Sequence, residues 1–314
     1  MTSPYRIRSF TDLPSKPGAY EMVSRVGAGT RRRLLRVWWQ RGEALRPCLA
    51  VTAMVHGDEF EGFAAALRVW EKLRGMRLSG SVLMIPVCNP WAAEACSRCS
   101  PEGVDGRNLA RIFPGRLAGS PTQQIARRIW DLVSACDTLV DMHSGGAAFD
   151  FLPVTGFYRE AERALAACFP IKHLWKIPVN QGVLSYEMSR RGKPVVGLEY
   201  HGRGNLDRAG AEAYQVGIFN LMRKLGMLAG ERIVPFREKR ICLRHNLVQH
   251  APGPGWFFPC RKPGDRVDRG AILGEWVNDG LARREIRSRH RGILLAVRNI
   301  PRVTAEDAIA HFAR

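Results

Sequence analysis

The sequence has no apolar run long enough to cross a bilayer, and its first residues, MTSPYRIRSFTDLPSKPG, lack the apolar middle segment of a secretory signal. These absences argue against a membrane-spanning or secreted protein; no membrane partner is expected, and the cytoplasm is the expected compartment. Paired cysteine motifs are also missing. The eight cysteines (48, 88, 96, 99, 136, 168, 242, 260) are scattered, several inside apolar runs such as VCNP and VSAC, so reduced thiols are expected. Cys96 and Cys99 form a single C-x-x-C without the second pair of a metal knuckle or a thioredoxin-like context. Acidic residues are scarce, 29 against 48 Lys and Arg, giving a formal charge of +19.

That basic excess has two functional accounts: a field that gathers small anionic substrates, or a surface for nucleic acid. Clusters such as Arg31-Arg32-Arg33, Arg127-Arg128 and Arg190-Arg191 are dispersed, and no nucleic-acid module accompanies them, so nucleic acid is not expected as a partner. An arginine-rich proteome gives the same excess. A homo-oligomer is left open by composition.

What is present is the balance of a globular protein: 46% hydrophobic and 25% charged residues, enough apolar material in 314 residues for one large core and a smaller appendage. CLAVTAMV reads as a buried strand, followed by the polar HGDE and then by FEGFAAALRVWEKLR, a helix with basic residues near its end. SVLMIPV is a second buried strand, closed by Asn89-Pro90. Ser120-Pro121-Thr122-Gln123 opens a helix, with serine as cap and Gln123 to complete a capping box, predicted to run to about Cys136. TLVDMH is a strand ending at His143, and Ser144-Gly145-Gly146 after it is flexible. YREAERALAACF reads as helix, KPVVGLEY as a strand ending at Glu199, and AGAEAYQVGIFNLMRKLGML as a long helix. Alternation of this kind predicts an α/β fold, a mixed, mostly parallel sheet with helices on both faces. After about Gly230 short β-like runs take over (GWFFP, KPGDRV, AILGEWV, GILLAVR), so residues 1–230 are expected as an α/β domain and 231–314 as a small β-rich domain. Trp38, Trp39, Trp256, Phe257 and Phe258 are read as core.

The chemistry concentrates at strand ends. His56 and Glu59 leave one buried strand and His143 ends another; ligand sites in open α/β sheets form outside such ends, so the three can meet around one ion. Two imidazoles, a carboxylate and an open fourth position describe a catalytic zinc site. H-x-x-E alone recurs by chance, and either histidine can instead be a satisfied capping or core residue. Glu199 closes an apolar strand, where a carboxylate is costly without a partner; it is a candidate base or a salt-bridged structural residue. Arg98 and Arg111 flank the turn-rich SPEGVDGRNLARIFPG, from which one guanidinium can stabilise an oxyanion and another clamp a carboxylate. Solvated surface arginine is the plainer reading of both. Asp141, two before His143, is a candidate to orient it, although the strand is read as turning the two side chains apart.

HGDE, NP, R-C-S-P, DGRNLARIFPG, DMHSG and GLEYHG, in that order from about residue 50 to 202, resemble the succinylglutamate desuccinylase/aspartoacylase family of the zinc carboxypeptidase-like superfamily. The β-rich tail resembles the family's C-terminal domain. The resemblance implies a phosphorylase/hydrolase-like, zinc carboxypeptidase-like fold with one zinc ion per chain on His56, Glu59 and His143, and Glu199 as general base. It further implies that Arg98 polarises the scissile carbonyl, that Arg111 binds the substrate's carboxylate, and that residues 231–314 restrict the cleft. One position departs: the family's N-L-N-R has Ala110 for its second asparagine, removing the amide partner of Arg111. Asn108 keeps the first asparagine and is assigned to loop structure before substrate.

The expected activity is hydrolysis, through zinc-activated water, of the amide of a small, anionic N-acylated amino acid or related compound. Two alternatives stand beside it: a peptidase of the carboxypeptidase branch, and a non-catalytic zinc- or anion-binding protein suggested by the charge and Ala110.

Overall fold

The structure is a computed structural model that describes residues 5–27, 29, 32–229, 236 and 238–314. The chain enters through β1 (Tyr5–Arg6), β2 (Gly18–Val26) and β3 (Arg33–Arg41). It continues through β4 (Cys48–Thr52), α1 (Glu61–Leu73), β5 (Ser81–Ile85), α2 (Pro90–Glu94), α3 (Pro121–Val133) and β6 (Thr138–Met142). Then come β7 (Phe149–Phe151), β8 (Val154–Phe157), α4 (Arg163–Ala166), β9 (His173–Lys176), α5 (Leu184–Arg190), β10 (Val195–Glu199), α6 (Arg208–Lys224) and β11 (Ile241–Arg244). The remainder is strand: β12 (Leu247–His250), β13 (Gly255–Pro259), β14 (Arg266–Val267), β15 (Ile272–Asn278), β16 (Arg283–Arg287), β17 (Gly292–Arg298), β18 (Arg302–Val303) and β19 (Ala308–Ala313).

Ten strands form one mixed sheet in the order β1-β2-β3-β5-β4-β6-β10-β8-β9-β11. Its centre, from β5 through β4 and β6 to β10, is parallel; antiparallel joins occur at β2/β3, β3/β5 and β10/β8. The central strands read as unbroken apolar runs because helices cover both faces. Alternate side chains divide accordingly. Val51, Met84, Val140 and Val196 pack with α1 and α6 on one side. Ala50, Leu83, Leu139 and Val195 pack with α3 and α5 on the other. Each fully buried aliphatic side chain contributes about 1.5–3 kcal/mol, against about 0–1 kcal/mol for an exposed ion pair, so this double-sided layer sets the sheet's position.

Residues 247–314 build two smaller sheets, β12-β19-β17-β14 and β16-β15-β13-β18, around Phe257, Leu273, Leu294 and Phe312. They are stitched to the body by β7, which pairs antiparallel with β17. The expected changeover at residues 230/231 lies outside the described residues; β11, the first strand after it, pairs with β9 in the large sheet.

Several local expectations differ. The helix read in YREAERALAACF is only α4, because Glu162 turns its carboxylate back onto the backbone N–H groups of Tyr158 and Arg159 (2.9 and 3.0 Å), closing a 3-10 turn before it. The capping box expected at the start of α3 is present: Gln123 Oε1 accepts from the Ser120 N–H at 3.1 Å, and the Ser120 side chain faces the Gln123 backbone N–H. Trp38, Trp39 and Phe257 are core, but Phe258 is 47% exposed and Trp256 lies under the Arg302 guanidinium. All eight cysteines are free thiols. Among the described residues no helix is long and apolar enough to cross a membrane.

Candidate active site

β4 and β6 are parallel neighbours with Thr52 opposite Asp141, so the chain leaves both at the same edge of the sheet. His56 and Glu59 follow the first strand; His143 follows the second. The turn at His56 is tight: Met54 adopts a positive φ of 48°, sparsely populated by side-chain-bearing residues. Gly57 then presses on α2, where a Cβ would lie 2.0 Å from the Ala92 carbonyl oxygen. Asp58 Oδ2 accepts from the Ala147 N–H at 2.8 Å, tying this turn to the loop after His143, and Tyr214 Oη donates to the His143 carbonyl at 2.7 Å.

Glu59 is buried between the two rings. Its Oε1 lies 2.7 Å from His56 Nδ1 and its Oε2 2.9 Å from His143 Nδ1. One ligand atom from each residue falls within 4.8 Å of the others. The far nitrogens face acceptors as well: His56 Nε2 is 3.1 Å from Asn108 Oδ1, and His143 Nε2 is 3.3 Å from Asp141 Oδ2. Asn108 Oδ1 also accepts from the Ala110 N–H at 2.9 Å, which fixes it as oxygen and puts the His56 proton on Nε2. A neutral His56 therefore aims the lone pair of Nδ1 at a carboxylate oxygen. Two acceptors at 2.7 Å repel unless a cation lies between them, so the donor set fits a divalent metal.

The protonation pattern has the same origin. Burial lowers the His56 pKa to about 4 against the pull of Glu59. Burial opposes charge on His143 too, but Asp141 and Glu59 outweigh it and raise its pKa well above the usual value. Glu59, despite burial, is held well below the carboxylate range by His56 and His143. Asp141 meets His143 because residues two apart on a strand share a face; the reading that the strand would separate them is corrected.

Glu199, the last residue of β10, closes the other side of the cluster. Burial pushes its pKa up to about 8, Glu59 and Asp141 adding to the effect and His143 and Arg98 opposing it. Its Oε2 is buried with no hydrogen-bond partner among the described residues. Arg98 reaches in from the loop after α2, with Nη1 3.3 Å from His56 Nδ1 and 3.4 Å from Glu59 Oε1. That loop is pinned by buried hydrogen bonds among Asn89, Ser100 and Thr122 (3.1 and 2.7 Å).

A cavity of about 240 Å³ opens over the cluster, lined by His56, Arg98, Arg111, His143 and Glu199 among others. Arg111 donates to the Ala110 carbonyl at 2.8 Å, and Ala110 itself is at the wall. Asn108 is not among the lining residues; its side chain is spent on His56 and Ala110. Sequence reasoning did not single out Tyr158, Asn246 and His311, which also line the cavity. Tyr158 Oη lies 3.1 Å from Ser185 Oγ, and burial pushes the phenol pKa well above its usual value. His311 comes from β19 and Asn246 from the connection between β11 and β12; the β7/β17 and β9/β11 pairings bring them to the cavity.

The succinylglutamate desuccinylase/aspartoacylase catalytic domain matches residues 46–225. An N-alpha-acetyl-L-2,4-diaminobutyric acid deacetylase of Halomonas elongata is 30% identical over 292 residues, 87% of this chain and 83% of the relative. The crystal structure of a succinylglutamate desuccinylase/aspartoacylase from Rhodobacter sphaeroides superposes with a TM-score of 0.84 at 26% identity, covering 98% of this chain and 99% of that one. The product-bound ectoine utilization protein EutE (DoeB) of Ruegeria pomeroyi has the same fold, with a TM-score of 0.84 at 23% identity over 96% of this chain and 97% of that one.

Proposed function

Because this chain belongs to the succinylglutamate desuccinylase/aspartoacylase family, we propose that it is a zinc-dependent amidohydrolase that removes the acyl group from a small N-acylated amino acid. The observation that carries this reading is the meeting of His56, Glu59 and His143 beside a buried Glu199 oxygen, without a partner among the described residues, at one small cavity. The relative from Halomonas elongata, a deacetylase of an N-acetylated diamino acid by its name, makes acetyl the first acyl group to test.

In this reading His56, Glu59 and His143 hold the zinc, with Asn108 and Asp141 fixing the imidazoles from behind. Bound there, zinc acidifies water and polarises an acyl oxygen. Glu199 takes a proton from the attacking water at its carboxylate and returns it to the leaving nitrogen. Arg98 donates to the oxygen that gains charge in the tetrahedral intermediate. Arg111 pairs with the substrate's carboxylate, without the amide neighbour that Ala110 replaces. The α/β body is read as the zinc carboxypeptidase-like form, and the β-rich residues after 230 as the part that narrows the cleft; Asn246 and His311 at the cavity wall favour that role. A cavity of about 240 Å³ suits a metabolite better than a peptide, which weighs against the peptidase alternative.

The test is a screen of N-acetyl, N-succinyl and N-formyl amino acids with zinc-loaded protein, wild type against Glu199→Gln. Turnover that Gln supports as well as Glu overturns the mechanism.

A further inference from the structure

His311 stands on β19 and lines the same cavity as Glu199. Its Nδ1 lies 3.0 Å from Asn246 Oδ1, and since an amide oxygen only accepts, Nδ1 carries the proton and Nε2 holds a lone pair. Among the described residues nothing hydrogen-bonds to Nε2. The ring packs edge-on against Phe149, centroids 5.2 Å apart. Burial, with Arg98 and His250 adding to it, lowers the His311 pKa to about 4, so the imidazole is neutral at pH 7. A neutral imidazole with an unshared lone pair offers nothing to a carboxylate, which separates it from Arg98 and Arg111.

The surroundings favour an amine. Ala296 of β17 is the register partner of both His311 on β19 and Phe151 on β7, so the three side chains stand in one row on one face of the sheet. Phe151 in turn lies 6.2 Å from Trp175, and Phe149, Phe151 and Trp175 all line the cavity. Aromatic faces attract ammonium groups, and a free imidazole nitrogen accepts their N–H. The cavity thus answers to anions at its two arginines and to a hydrogen-bond donor at His311.

We propose that His311 is a specificity-determining residue that accepts a hydrogen bond from an amino group on the side chain of the acylated amino acid, an assignment that rests on the deacylase reading above. Arg98 opposes a second cation nearby, so the preference is expected to be moderate, roughly tenfold to a hundredfold, the range of one charge-assisted hydrogen bond.

The experiment compares kcat/KM of the zinc-loaded protein for Nα-acetyl-2,4-diaminobutyrate and Nα-acetylnorvaline, which differ by an amino group in place of a methyl. Wild type is expected to prefer the amine. His311→Leu is expected to lose that preference with the norvaline rate within about twofold, and His311→Gln, which keeps an acceptor, to recover part of it. Equal losses on both substrates, or a preference untouched by either variant, overturn the proposal. Should His311→Leu fail to fold, Asn246→Ala, which releases the Nδ1 proton, carries the same comparison. If wild type cleaves neither substrate, acetyl is not the acyl group, and calorimetric binding of 2,4-diaminobutyrate against norvaline decides the assignment separately: a diamine preference lost in His311→Leu supports it, and equal binding overturns it.

Discussion

Asn108 Oδ1 lies 3.1 Å from His56 Nε2 while accepting the N–H of Ala110 at 2.9 Å, so one amide oxygen caps the 3-10 turn at Leu109–Arg111 and fixes the tautomer of a candidate metal ligand. Asn108→Ala should therefore do two things. Loss of the cap should destabilise the protein by about 1 kcal/mol. Loss of the ring's partner should weaken zinc binding about tenfold to a hundredfold, read by chelator competition. A variant with lower Tm and unchanged zinc affinity would show that Asn108 serves the loop alone.

Glu199→Gln should separate activity from stability. Turnover should fall by about a hundredfold or more with the loss of the proton carrier. In chelated protein the same change should stabilise. Burial raises the folded-state pKa to about 8 from an ordinary 4.5, so between those values the unfolded chain releases a proton that the folded chain retains. Stability contributed by this group is thus lost as pH rises from about 4.5 to 8. Gln does not titrate, so the variant's advantage should be near zero at pH 4, grow to a few kcal/mol at most by pH 8, and then level off. Denaturant melts across that range check it; a constant difference from pH 4 to 9 would contradict it.

Gly57→Ala probes the turn that presents His56. The added methyl would sit 2.0 Å from the Ala92 carbonyl, against backbone that α2 holds in place. The expected result is destabilisation by about 3 kcal/mol or more, with zinc content falling in the same preparation. Gly75, where a Cβ meets nothing within 4 Å, is the control: alanine there should leave both unchanged.

The strand-end residues were legible because their cause is local. Central parallel strands are largely apolar, so His56, His143 and Glu199 stand out as polar groups where an apolar run stops, and the neighbouring positions of β4, β6 and β10 bring those stops together. α5 was not legible: Leu184–Arg190 is a short helix inside a polar stretch, too brief for its periodicity to register. His311 and Asn246 were invisible for a different reason. They reach the cavity through long-range pairings, Phe149–Phe151 with β17 and β9 with β11, and such contacts leave no pattern in any of the segments.

Arg111 and Ala110 allow the sharpest check on how a substrate carboxylate is held. Arg111 lines the cavity and spends one Nη1 contact on the Ala110 carbonyl at 2.8 Å, which turns its guanidinium toward the wall where Ala110 offers only a methyl. If the fork grips a carboxylate, Arg111→Lys loses the paired geometry but keeps the charge, so KM should rise about tenfold with kcat within about threefold. A substrate whose carboxylate is capped as an amide should bind weakly to wild type and be indifferent to the change. Ala110→Asn should act in the opposite sense, supplying a second donor beside Arg111 and lowering KM severalfold for the free carboxylate only. An Arg111→Lys variant that shifts capped and free substrates alike would place the carboxylate elsewhere in the cavity, with Arg98 as the remaining guanidinium on its wall.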